Sequence, residues 1–413
     1  MKIAVFTDSY QPYVSGVVRS IDTFGAELLE LGHEVYIFGP RYYHGAASQP
    51  AKPERPPALK VFRFWSIPVP TYRGFTVPVP ISMQAEALLA QLGIDIIHSH
   101  TPFVMGVMAA VLARRRRIPL AFTHHTMYHE YVHYAPGLRT VLRQAMLRYV
   151  AGYCRRADLV IAPTPKIRDF IVDTYRLAGK PVKVIPTGIA VDDYKGGDRR
   201  WLRERLGIGP DERVLIFVGR LGREKNVAFL LEALQHVRAA LDDVHLVLVG
   251  DGPDRPRLER LAREAGLAAR VHFTGTFARE QVIQAFHGAD LFVIASTTET
   301  QGLATLEAMA AGLPVVGVDA PGTHDMVQNG VQGLLRPEDP AAFAEAVVSL
   351  LKDEHKYRQC AARARARAEA LSAREMALRL VGAYQELLTP GLHGSEVGRD
   401  SQVAVELPKG VSH

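Results

Sequence analysis

Short apolar runs alternate with stretches of helical period along most of the chain. The first run is KIAVF at 2–6, after which apolar residues recur at Val17, Val18, Ile21, Phe24, Leu28 and Leu31, the spacing of one helical face. Gly32 closes that pattern and EVYIF opens a second strand, so the chain begins strand–loop–helix–strand. Further buried strands are predicted at 95–99, 120–123, 159–162 and 182–185. The pattern restarts at 214–218, with a helix over 227–241 and strands VHLVLVG, VHFTG and 291–295. Repeated strand–helix alternation calls for parallel sheets. Helices are predicted over 340–353, 356–371 and 373–388. A polar, charged stretch at 195–205 marks a composition shift, which divides the chain into 1–190 and 191–371. A C-terminal helix at 372–388 is expected to return to the first unit. The aperiodic, polar tail 389–413 is predicted to be disordered.

Length narrows this picture. At 413 residues the chain exceeds one ordinary domain. A formal charge of +6 permits an anionic ligand or membrane surface without identifying one. Cys154 and Cys360 are far apart, with no metal-type cluster around either, which points to reduced thiols and a cytoplasmic compartment. The N-terminal residues enter a strand at once, so no signal peptide is expected. No apolar run approaches the length of a spanning helix, and any membrane contact is expected to be peripheral.

The stretch 296–316, STTETQGLATLEAMAAGLPVV, carries the densest candidate chemistry. It follows a buried strand, turns at Gly302 into a helix, and places Glu299 and Glu307 around that turn. Helix-start N–H groups suit an anion and carboxylates suit sugar hydroxyls; a loop cap and a solvated helix residue fit equally well. Gly16 precedes the first helix where a backbone can approach a phosphate, although GxGxxG is absent and a nicotinamide dehydrogenase is disfavoured. Arg220 and Lys225 share a loop after a strand, a pair suited to a diphosphate. His125 stands at a strand's carboxyl end, where open α/β sheets bind ligands. His125 and His129 are four apart, but no HExxH order or third ligand supports a metal. The segment 137–157 has helical period and carries Arg139, Arg143, Arg148, Arg155 and Arg156. Its apolar face is expected to comprise Leu138, Val141, Leu142, Ala145, Met146 and Tyr149. It reads either as an anionic-lipid surface or as an ordinary packed helix.

GRLGREKN, VGDGP, VHFTG and the Glu299-x7-Glu307 pair occur in the order found in retaining glycosyltransferases of family 4, which the chain resembles over 1–388. The segments TDSYQPYVSGVVRSI, DIIHSHTPF, HHTMYHEYVHY and TETQGLATLEAMAAGLPVV are similar to those of the bacterial 1,2-diacylglycerol 3-glucosyltransferases. The resemblance implies an α/β fold of GT-B type, two facing Rossmann-like domains with a cleft between them. It assigns the acceptor to 1–190 and the donor nucleotide to 191–371. It further implies that Arg220 and Lys225 hold the diphosphate and that Glu307 accepts bonds from ribose hydroxyls. Glu299 would meet the donor sugar, with backbone at Gly302 and Leu303 beside it. Gly16 would close over the donor, backbone at Thr276 and Phe277 would read the base, and His125 would lie beside the reacting sugar. The arginines of 137–157 would dock on membrane. Two positions depart from the pattern: Gln301-Gly302 replaces the usual phenylalanine-glycine, and Ala190 stands where an acidic residue is common.

On this reading a hexose, glucose before galactose or mannose, passes from a nucleotide sugar, UDP-glucose before a GDP donor, to a membrane lipid such as diacylglycerol at the inner face of the cell membrane. No cofactor and no metal are expected, since Asp242, Asp243, Asp251 and Asp254 fall in turns or caps. Another acceptor, lipid-linked or a small polar sugar, remains open, as does a nucleotide-sugar isomerase on the same fold. Nucleic acid is not an expected partner, and the oligomeric state is left undetermined.

Overall fold

The computed structural model describes residues 1–13, 15–42, 59–68, 76–79, 82–130 and 139–389. In the first half the elements are β1 (Lys2–Phe6), α1 (Gly16–Glu30), β2 (Glu34–Pro40), β3 (Lys60–Phe64), β4 (Ser66–Pro68), β5 (Thr76–Pro78), α2 (Ser82–Leu92), β6 (Ile96–Ser99), α3 (Val104–Arg116), β7 (Leu120–Thr123), α4 (Arg139–Arg156), β8 (Leu159–Ala162), α5 (Pro165–Tyr175) and β9 (Val182–Val184). The second half adds α6 (Arg199–Leu206), β10 (Arg213–Val218), α7 (Val227–Arg238), β11 (Val244–Val249), α8 (Arg255–Glu264), β12 (Val271–Gly275), α9 (Arg279–Gly288), β13 (Leu291–Ile294), α10 (Leu303–Ala310), β14 (Val315–Val318), α11 (Pro321–Met326), β15 (Gly333–Arg336), α12 (Pro340–Lys352), α13 (Glu354–Ala370) and α14 (Ala373–Leu388). The tail expected to be disordered lies, from residue 390, outside the described residues.

Two parallel sheets form, ordered β3-β2-β1-β6-β7-β8-β9 and β12-β11-β10-β13-β14-β15. Their central strands are buried throughout, as LVIA of β8 and LFVI of β13 are, because helices cover both faces. Strand order reverses between β1 and β6 and again between β10 and β13. These are the switch points where open sheets leave a crevice at their carboxyl ends. A short antiparallel hairpin, β4 with β5, flanks the first sheet. One face of that sheet packs under α2, α3, α4 and α5, through Met105, Leu112, Tyr153 and Ile171. Its other face carries α1 and α14, and this core continues through Ile189 and Tyr194 into Phe286 and Leu306 beside the second sheet. The chain crosses between the sheets twice, and the crossings are bonded to each other. Ile189 N donates to Leu371 O (3.1 Å) and Ala373 N to Ile189 O (2.8 Å).

Candidate active site

Each switch point contributes two loops to the space between the sheets. After β10 the chain makes a tight turn at 223–225 that carries Lys225, and after β13 it runs through Glu299 to Gly302. Gly302 sits at φ +79° as the N-cap of α10, a left-handed conformation that glycine adopts without a Cβ penalty. Lys225 Nζ is ion-paired with Glu299 Oε1. Burial pushes the Glu299 carboxyl upward, but the Lys225 ammonium and a bond from Ser296 together outweigh it and hold the group below its usual value. Arg220 lies on the same loop, 3.8 Å from Glu224. Close packing fixes the Glu299 backbone: a Cβ on Gly322, at the start of α11, would stand 2.4 Å from Glu299 O.

The facing loops come from the first sheet. Ser15 caps α1 by accepting a bond from Val18 N, so α1 begins at Gly16. A Cβ on Gly16 would be 3.7 Å from Leu303 Cδ1, which sets the N-termini of α1 and α10 against each other. Both helix dipoles therefore direct partial positive charge into the cleft. Glu307 is buried and ion-paired with Arg19, one turn along α1, so it is not a solvated helix residue. Thr300 Oγ1 donates to His125 O (2.7 Å), tying the Glu299 loop to the end of β7. Arg19 and Thr300 escaped the sequence reading. The only signal for Arg19 was its i,i+3 offset from Gly16, which places both on one face of α1.

Three imidazoles cluster at the carboxyl end of the first sheet. His98 and His100 ring centroids are 4.2 Å apart, His100 and His125 5.0 Å, and His100 Nδ1 is 2.8 Å from His125 Nε2. Burial, and then the neighbouring His124, pushes the His125 imidazole down to about 3. His98, also at about 3, lies 2.6 Å from the phenol of Tyr384 on α14. The His125 imidazole is thus neutral and lies against His100, while its backbone carbonyl is held by Thr300 of the Glu299 loop. His129 is engaged elsewhere, 3.0 Å from Glu130 and stacked on Phe170. Among the described residues no group of three His, Cys, Asp or Glu is placed to hold a metal.

Other candidates separate. Thr276 and Phe277 follow β12 at the sheet edge, and the Phe277 ring packs on Trp201 (5.7 Å) beneath Arg205. Arg139 opens α4, while Arg143 approaches Glu130 (3.4 Å) and Arg155 donates to Tyr175 O (3.4 Å). Arg148 and Arg156 are exposed. Of the expected apolar face of this helix, Met146 packs against the core and Leu138 lies outside the described residues, but the rest needs correction. Val150, Ala151, Tyr153 and Cys154 enter the core, whereas Val141 is 67% and Tyr149 40% exposed. Only the second half of α4 lies on the sheet, so the stripe at 141, 145 and 149 is left facing outward.

Comparison with known proteins agrees with this geometry. Residues 14–193 match the family described as Glycosyltransferase Family 4, and residues 198–367 match Glycosyl transferases group 1. The chain is 35% identical over 342 residues to the alpha-monoglucosyldiacylglycerol synthase of Streptococcus pneumoniae, covering 81% of this chain and 75% of that one. It is 32% identical over 326 residues to the enzyme of the same name from Acholeplasma laidlawii, covering 76% and 80%. Among solved structures, Anabaena Alr3699/HepE in complex with UDP and glucose superposes with a TM-score of 0.77 at 23% identity, over 94% of this chain and all of that one. The chain therefore belongs to glycosyltransferase family 4 and is a glycosyltransferase with two Rossmann-like domains.

Proposed function

We propose that the protein transfers a hexose, glucose, from UDP-glucose to the hydroxyl of a diacylglycerol at a membrane surface, with retention at the anomeric carbon. The observation that carries this reading is the convergence of Lys225, Glu299, Glu307 and two helix N-termini at the paired switch points. The two relatives named as synthases of alpha-monoglucosyldiacylglycerol support the lipid acceptor. In this assignment Arg220 and Lys225 hold the diphosphate, Glu307 takes the ribose hydroxyls and Glu299 the hydroxyls of the hexose. As the bond from C1 to the phosphate oxygen breaks, its electron pair goes to the diphosphate. The two cations and the helix N–H groups stabilise that charge, at about 3 kcal/mol per donor. The acceptor oxygen bonds to C1 from the same face and its proton passes to the departing phosphate oxygen. His125, neutral and beside the donor loop, orients the acceptor without adding charge to the cationic sugar. Arg220 and Lys225 supply the positive charge that a metal supplies in other transferases.

Surface composition supports membrane docking. Among the described residues ten large hydrophobic side chains are exposed, and eight lie in one layer of the first domain: Trp65, Ile67 and Val77 at the hairpin, Met83, Val107, Val111, Val141 and Tyr149 on α2 to α4. Arg114 and Arg115 are exposed on α3, Arg148 and Arg156 on α4, and each adds about 1 kcal/mol near an anionic leaflet. No helix among the described residues is long and apolar enough to cross a membrane. The test is incubation with labelled UDP-glucose and vesicles of diacylglycerol with an anionic phospholipid. Label in the lipid extract is expected; label confined to water-soluble product excludes the lipid acceptor.

A further inference from the structure

Gln301 is buried between the two carboxylate positions and makes no contact assigned above. Its Oε1 accepts from Thr187 N (2.8 Å) and its Nε2 donates to Thr187 O (2.7 Å), so one side-chain amide pairs with both polar groups of a single backbone residue. Thr187 begins the first crossing between the domains, and its Oγ1 donates to Ser20 Oγ on α1 (2.8 Å). The next residue, Gly188, lies so close to the second crossing that a Cβ there would stand 2.6 Å from Ser372 O. One amide therefore joins the donor loop to the first crossing, which in turn bonds the helix bearing Gly16 and Arg19 through Thr187 and packs on the second crossing through Gly188. A buried peptide group left without partners is costly, so this pairing favours one relative placement of loop and connector.

We infer that Gln301 is a positioning residue, which locks the donor loop to the interdomain hinge so that Glu299 reaches its working place only when the domains are closed. This rests on the transferase reading for its catalytic consequence but not for its mechanical one. Two variants test it. In Gln301→Met, similar in length but unable to pair, the free protein should show a larger radius of gyration in solution scattering. Under transfer conditions it should release free hexose to water at least fivefold more often per transfer than the wild type, because an unlocked cleft admits solvent. In Gln301→Glu, a carboxylate oxygen faces Thr187 O at high pH, whereas the protonated acid donates to it. Activity relative to wild type should therefore rise severalfold as pH falls from 8 to 6. An unchanged radius of gyration in Gln301→Met, or a flat pH ratio for Gln301→Glu, overturns the inference. Absence of transfer by the wild type would sink the proposed reaction and leave the scattering result to decide the hinge.

Discussion

Replacing Lys225 with methionine separates what the Lys225–Glu299 pair does for stability from what it does for chemistry. The two side chains are 24% and 14% exposed, so the substitution strands a largely buried carboxylate. Removing one partner of such a pair costs about 3–5 kcal/mol, and the lower end applies here because Ser296 still bonds Glu299. The pH dependence follows from the direction of the shift. In the wild type the carboxyl is held below its unfolded value of 4.5, so its stabilisation is present above that pH and fades as acid protonates it. Without the ammonium, burial raises the carboxyl, and the folded state is then penalised above pH 4.5 and relieved below it. Denaturant unfolding should show a gap of about 3 kcal/mol between wild type and variant near pH 7.5 that narrows towards pH 4.5. Adding Glu299→Gln removes the stranded charge and should recover most of that stability. Turnover should not recover: both single variants and the double variant should lose about 10²–10³-fold in kcat. A gap of constant size across pH, or a double variant no more stable than Lys225→Met, refutes the electrostatic account.

Other outcomes are equally specific. Gly322→Ala, whose added carbon would press on Glu299 O, should depress kcat by at least tenfold while circular dichroism reports a folded protein. Arg19→Met should raise KM for the nucleotide sugar by roughly tenfold, about 1.4 kcal/mol, through loss of the group orienting Glu307. The pH–rate profile should show no limb from His125 between pH 5 and 8, because its imidazole ionises only near 3; an inflection that disappears in His125→Gln contradicts this. Val141→Asp should weaken sedimentation with anionic vesicles severalfold, leaving nucleotide affinity unchanged. A chelator added during turnover should leave the rate unaltered if Arg220 and Lys225 replace a metal.

The sequence by itself determined the local order of the fold. Strands such as LVIA and LFVI, buried on both faces, read as unbroken apolar runs, and the helices between them carry a period of 3.6. That Glu299, Glu307, Arg220 and Lys225 stand at strand–turn–helix junctions was legible, because such junctions fall at predictable ends of a sheet. Which groups meet was decided only in three dimensions. Arg19 reaches Glu307, 288 positions away, and the Gln301 amide finds a backbone residue 114 positions away. Periodicity reports the faces of one element and carries no term for the partner on another. The same blindness hid the orientation of α4: a stripe spaced for burial stays in solvent where no sheet lies beneath it. The pairing of the two sheets across a shared crevice is thus a property of tertiary packing, since only packing sets the separation and angle between groups far apart in sequence.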